Sequence, residues 1–292
     1  MMPTLLRYGL FPLMFLGGNA LGISLIVHGA PLWQRLMALL AAIGIMFLAE
    51  QRLPYQPQWN HNHGDRWRDI AHASLNTALN YIGIWLLPLL ASVGLFAGHW
   101  PSAWPFWLQV VFAILVLDLG ITLTHYLSHK NAVLWRFHAV HHSVERLYGF
   151  NGLMKHPVHQ IIETVAGIAP LLLMGIPTSV AAAVVFAVAI QLLLQHSNVD
   201  YRTGPLKFIF AVAEAHRFHH RKSPGLGDVN FGLFTTLWDH LLGTYYYSAT
   251  RVAPESLGIG DRPDYPRTYV AQLIEPFQRL PLGVAASSDR RD

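Results

Sequence analysis

Six apolar stretches set the pattern of this chain: Tyr8–Val27, Leu32–Ala49, Leu75–Phe96, Phe106–Leu123, Ile161–Met174 and Thr178–Leu194. A helix needs about 17 to 25 apolar residues to cross a bilayer, and the first four qualify. The last two are shorter and are split by Gly175-Ile176-Pro177. They read either as two tilted spans or as a hairpin dipping into the bilayer, and both options return the chain to the side it left. The first stretch follows one Arg and has no small-x-small cleavage site. It therefore reads as a retained span rather than a removed signal. The expected architecture is an all-α integral membrane protein with four to six transmembrane helices.

Composition strengthens this reading. The chain has 292 residues, 53% hydrophobic and 12% charged, where a soluble domain carries about 25% charged residues. There is no cysteine, which excludes disulfides, thiolate zinc sites and cysteine-held iron–sulfur clusters. The net charge is +4 with histidine neutral. No basic tail argues for nucleic acid, and none is expected as a partner.

The placement of the charge gives an orientation. Arg52, Arg66 and Arg68 follow the second stretch; Lys130, Arg136, Arg146 and Lys155 lie between the fourth and fifth; Arg202, Lys207, Arg217, Arg221 and Lys222 follow the sixth. Residues 97–105 carry no Lys or Arg. Lys and Arg collect in cytoplasmic loops, so these three stretches belong in the cytoplasm. Arg7 puts the N-terminus there too, with Arg35 a minor exception. The tail from Arg251 is rich in Pro, Gly and charge, and its last ten residues, with Ser287, Ser288, Arg290 and Arg291, are expected to be disordered.

The basic stretches also hold the chemistry. Eight histidines form three clusters: His125 and His129; His138, His141 and His142; His216, His219 and His220. The i, i+3 and i, i+4 spacings put each set on one helix face, and neutral imidazole is the commonest metal ligand. One first-row ion takes four to six ligands, so eight suit two ions better than one. Ligand type alone leaves iron, zinc and copper open. His196, in Gln195-His196-Ser197-Asn198, ends the sixth stretch and joins the candidates. His156 reads as a ligand or a donor just behind the ligands, and His159 as the latter. Asp118 lies two turns before His125 on one face, and holding a ligand histidine from behind is a physical reason to keep a carboxylate there. His28, His61, His63, His72, His99 and His240 read as structural or solvated. A cytoplasmic, histidine-rich helical cap on a membrane stem follows.

HYLSHKNAVLWRFHAVHHSVE, followed by KHPVH, QHSNVD, HRFHH, DVNFG and WDHLLGT, resembles the fatty acid hydroxylase superfamily over roughly residues 110–250. The resemblance implies a membrane-bound, non-haem di-iron enzyme that uses dioxygen and two electrons to hydroxylate or desaturate a lipid. It implies that the eight clustered histidines and His196 are ligands to two Fe ions, and that the His156-Pro157 histidine is needed. Asp228, Asn230 and Asp239 match positions that support the ligands, and Asn198 is grouped with them. Some members carry a second histidine after the one matched by His196, where Asp200 and Tyr201 stand here. Bacterial members often have an acidic residue where His159 stands, and a proline where Ala213-Glu214-Ala215 runs.

The implied organisation is a set of transmembrane segments over 1–105, a di-metal catalytic unit over 106–250 and a partly disordered tail over 251–292. Phe150, Leu153 and Phe231 are candidate lining for a lipid groove entered from the bilayer. There is no Gly-rich dinucleotide fingerprint and no haem domain, so electrons must come from a separate donor, a ferredoxin or a b-type cytochrome with its reductase. The expected location is a bacterial inner membrane, with the metal site on the cytoplasmic face. The rival reading is a divalent-metal transporter, although transport sites usually lie near the bilayer midplane.

Overall fold

The computed structural model describes residues 2–91 and 98–278. Among them the chain is helical, with only isolated β-bridges. Among the described residues, five helices are long and apolar enough to cross a membrane. They are α1 (Thr4–Val27), α2 (Leu32–Arg52), α4 (Phe106–Lys130), α6 (Pro157–Met174) and α7 (Thr178–Gln195). The third apolar stretch lies in α3 (Arg66–Ala91), and its end falls outside the described residues. The stretch expected from Ile161 begins a turn earlier, at Pro157, because proline is favoured in a first helical turn. Gly175, at φ +82, ends α6 in the left-handed region, and α7 then returns as a full helix.

Contacts at the helix ends place the histidines on one side. Arg7, near the start of α1, donates to Asp200 at 3.1 Å. Glu50, near the end of α2, accepts from the backbone N–H of Gly149 and of Asn198, each at 3.0 Å. Asn76 of α3 donates to the Lys155 carbonyl at 2.9 Å. The end of α4, the start of α6 and the end of α7 share this side. The opposite corner holds Trp100, whose indole N–H donates to Gln109 at 2.6 Å.

Helix α7 is the central helix. Buried residues make up 61% of its most apolar window, against 17% in α2, which instead presents Trp33, Met37, Leu40 and Leu48 outward. Helix α4 crosses α6 at Gly120, where a Cβ would stand 2.2 Å from the Ala166 carbonyl oxygen. Small residues permit such close backbone approach where water provides no driving force between helices.

Three shorter helices build the cap: α5 (Ala132–His142), α8 (Ala213–His219) and α9 (Leu237–Leu242). Asn131 caps α5, its side chain accepting from the N–H groups of Val133 and Leu134. Residues 251–278 fold back over the cap and end in α10 (Tyr269–Ile274). There Gln272 is fully buried and its Oε1 lies 3.0 Å from His72 Nε2. The last ten residues, expected to be disordered, lie outside the described residues.

Candidate metal centre

The helix ends bring nine imidazoles into two adjoining nests. One holds His125, His129, His138, His142 and His219; the other holds His141, His196, His216 and His220. Neighbouring pairs place Nε2 against Nε2 at 2.9 Å (His125–His219), 3.0 Å (His129–His142 and His138–His142) and 3.1 Å (His196–His216). The i, i+1 step within each H-x-x-HH cluster sends one histidine to each nest. His141 and His142 therefore diverge, as do His219 and His220.

The hydrogen bonds fix which nitrogens point inward. Nδ1 of His125 lies 2.8 Å from the Phe231 carbonyl, and Nδ1 of His219 lies 2.9 Å from that of Val229. A carbonyl only accepts, so each Nδ1 carries the proton and each Nε2 presents a lone pair. The 2.9 Å contact between those two Nε2 atoms thus sets lone pair against lone pair. His129 repeats the pattern with Asp228 at 2.8 Å, and His141 with the Met154 carbonyl at 3.1 Å. His220 is buried, and neither of its ring nitrogens is hydrogen-bonded among the described residues. A cation resolves both conflicts. Ligands at right angles around an ion, with bonds of about 2.1 Å, stand about 3.0 Å apart, which matches the observed spacing. Burial holds His138, His141, His142, His196, His216, His219 and His220 well below the ordinary histidine range, so they stay in the neutral form that binds metal.

The supporting residues act mostly on one loop. Asp118 accepts from the N–H groups of Leu233, Phe234 and Thr235 and from the Thr235 hydroxyl, at 2.8–3.0 Å. Asp239 accepts from the N–H groups of Phe231 and Gly232 and from the Thr244 hydroxyl, at 2.7–2.9 Å. Asn230 adopts φ +55 and donates to the carbonyls of Ala215 and Tyr246. The clamped loop then offers its Val229 and Phe231 carbonyls to His219 and His125. Asp118 therefore holds His125 through this loop and not by direct contact. Asn198 ties the segment after His196 to Gln56 and Asn60.

His156 stands outside both nests. Its Nδ1 accepts from the Val158 N–H at 3.1 Å, capping α6, and its Nε2 lies 3.2 Å from the Leu273 carbonyl. His159 lies beside His138, with ring centroids 4.5 Å apart. Asp200 and Tyr201, standing where some relatives carry a histidine, serve structure instead. Asp200 gathers Arg7, Arg202 and Arg251, and the Tyr201 hydroxyl donates to the Leu194 carbonyl. The scattered histidines 28, 61, 63, 99 and 240 are at the surface.

Phe231 turns its ring edge-on to His125, His129 and His219, with centroids 5.0–5.6 Å away. Phe150 packs on Phe47. A cavity of about 520 Å³ opens behind Ser143 and Lys222 and includes none of the nine imidazoles in its lining. Glu50 and Glu163 were missed by motif reasoning. A signal was available, since each is an acid inside or at the end of an apolar stretch, and such residues are kept for a reason.

The fatty acid hydroxylase family profile matches residues 110–244. The chain is 35% identical to an ornithine lipid hydroxylase of Rhizobium tropici, over 82% of this chain and 74% of that protein. It is 29% identical to an alkylglycerol monooxygenase of Xenopus tropicalis, over 73% of this chain but only 43% of that longer protein. A sphingolipid C4-hydroxylase of Schizosaccharomyces pombe is 30% identical over 47% of each chain. No solved structure matches the chain significantly. These relatives are lipid oxygenases and not metal carriers, so the transporter reading falls. With its spans, its two imidazole nests and these relatives, the chain belongs to the fatty acid hydroxylase family and is a membrane-embedded lipid oxygenase.

Proposed function

We propose that the two nests hold two iron ions, and that the enzyme hydroxylates a membrane lipid with an amino-acid headgroup, of the ornithine lipid class. The observation that carries the metal reading is the Nε2-to-Nε2 contact of 2.9 Å between two imidazoles whose Nδ1 protons are already committed. The ornithine lipid relative, matched over most of both chains, supports the substrate class and favours hydroxylation over desaturation. Bound iron with dioxygen supplies the oxidising power to cleave an unactivated C–H bond. The balance is one lipid C–H, one O2, two electrons and two protons giving one C–OH and one water.

The chain's own residues prepare that chemistry. His125, His129, His138, His142 and His219 hold one ion, and His141, His196, His216 and His220 the other. Asp118, Asp239 and Asn230 fix the loop whose carbonyls orient His125 and His219, and Phe231 shields the first nest from water. The electrons come from a separate donor, a ferredoxin or a b-type cytochrome with its reductase. The basic stretches on the histidine side support a cytoplasmic face and a bacterial inner membrane.

The test is anaerobic purification followed by iron analysis, then reaction with ornithine lipid, a reductant and labelled dioxygen. Two irons per chain and one labelled oxygen atom in the lipid are expected. An iron-loaded enzyme that leaves this lipid unchanged would overturn the substrate class, and protein that binds no iron would overturn the di-iron reading.

A further inference from the structure

His159, Glu163, Lys155 and Ser128 form a buried cluster beside His138. The Ser128 hydroxyl donates to the Thr124 carbonyl at 2.7 Å, so it accepts from His159 Nε2 at 2.8 Å. His159 Nδ1 is left as a lone pair. It faces Glu163 Oε1 at 3.7 Å, and neither atom has a hydrogen-bond partner among the described residues. His138 Nδ1 is buried without a partner too, while its Nε2 lies in the first nest, 3.0 Å from His142. If that Nε2 gives its lone pair to a metal, Nδ1 carries the proton. A single ligand atom from each of His138, His159 and Glu163 lies within 4.8 Å of the others. The cluster thus combines two acceptors lacking a donor with one donor lacking an acceptor.

We infer that Glu163, with His159, accepts the Nδ1–H of His138 through one bridging water, and is thereby a positioning residue for a metal ligand. This rests on the nests being a metal site. Metal-bound imidazoles regularly donate their second N–H to a carboxylate or carbonyl, which fixes the ring and strengthens the ligand. The 3.7 Å between His159 Nδ1 and Glu163 Oε1, beyond direct hydrogen-bond reach, suits a water with several polar partners. Lys155 sets the carboxylate in place. Its Nζ lies 2.5 Å from Glu163 Oε2, and its own carbonyl accepts from Asn76 and faces His72 Nδ1 at 3.1 Å. Oε1 therefore remains turned toward the histidines.

The competing role for Glu163 is simple charge balance for Lys155. A double variant, Lys155→Met with Glu163→Leu, removes both charges and the acceptor together. It is compared with Glu163→Gln, which keeps an acceptor oxygen, and with the full-length parent. The readouts are metal retention against a chelator, the visible spectrum of cobalt-loaded protein, and the helical melting curve. The double variant is expected to melt like the parent, to bind one of its two ions about 10 to 100-fold more weakly, and to show a shifted cobalt spectrum. Glu163→Gln is expected to recover part of that affinity. A double variant with the parent's affinity and cobalt spectrum would overturn the inference, as would three tightly bound ions per parent chain. Parent protein that takes up no metal would instead remove the metal centre itself, a distinguishable failure.

Discussion

The two nests share a fold and a ligand type but differ in what stands behind them. In the five-imidazole nest, His125, His129 and His219 each commit Nδ1 to a Phe231, Asp228 or Val229 oxygen at 2.8–2.9 Å. In the four-imidazole nest only His141 has such a partner, at 3.1 Å. The Nδ1 atoms of His196, His216 and His220 find none among the described residues. In the first nest His138 and His142 also lack an Nδ1 partner among the described residues, so three of its five imidazoles are preorganised by Asp228 and the loop after it, against one of four in the second, which relies more on packing, as where Gly152 leaves room beside His196. Ligands held from behind bind metal more tightly, so the nests should differ in affinity although both are all-histidine.

The largest expected effect tests whether both nests are needed. His219→Ala should lose the ion of the first nest and His220→Ala that of the second, each leaving about one metal per chain and no lipid oxidation. Elemental analysis of each purified variant checks this, and loss of both ions from either one would show a single coupled site. Next in size is Asp118→Ala. It leaves three backbone N–H groups without their acceptor, at about 1–3 kcal/mol for each group left buried and unpaired. A clearly lower melting temperature and weaker metal binding in the first nest are expected; binding lost equally from both nests would argue for general unfolding.

Asp228→Asn should weaken metal in the first nest alone by about 10-fold or more, read as faster loss of one ion to a chelator. A graded chelator series on the parent protein should remove the ion of the second nest first. The opposite order would invert the comparison.

The effect that is smallest per side chain, although seven side chains share it, is acid sensitivity of the metal-free protein. Seven histidines outside the spans have folded values well below the ordinary range because of burial. The unfolded chain binds protons first, below about pH 6.5. Stability is thus steady above pH 7 and falls as pH drops through 6.5 toward 5, each group adding up to about 1.4 kcal/mol per unit. Melting temperatures across that range check the slope, which bound metal should reduce.

Much of this was legible without coordinates. The apolar stretches foretold the spans, and the basic residues foretold that all histidine clusters share a side, because helix length and charge placement are local properties. The spacing of the clusters marked eight imidazoles, and the end of the sixth apolar stretch marked His196; the structure gathers all nine. Their division into nests was not legible, since His141 and His142 are sequence neighbours whose side chains diverge by one helical step. Nor was it legible that Asp118 acts through the 231–235 loop. Gly232 closes that loop at a point where a Cβ would meet the Thr235 carbonyl at 2.2 Å.

The sequence by itself determined the membrane stem, the gathering of the histidine clusters on one side and the imidazole nature of the candidate site, because hydropathy, charge and imidazole spacing need no distant partner. Only the tertiary structure decided which histidine serves which nest and which tautomer it holds. It also turned His156 to capping α6 and brought Glu163 beside His138. These depend on hydrogen bonds between residues far apart in the chain, and such bonds exist only once the helices have packed.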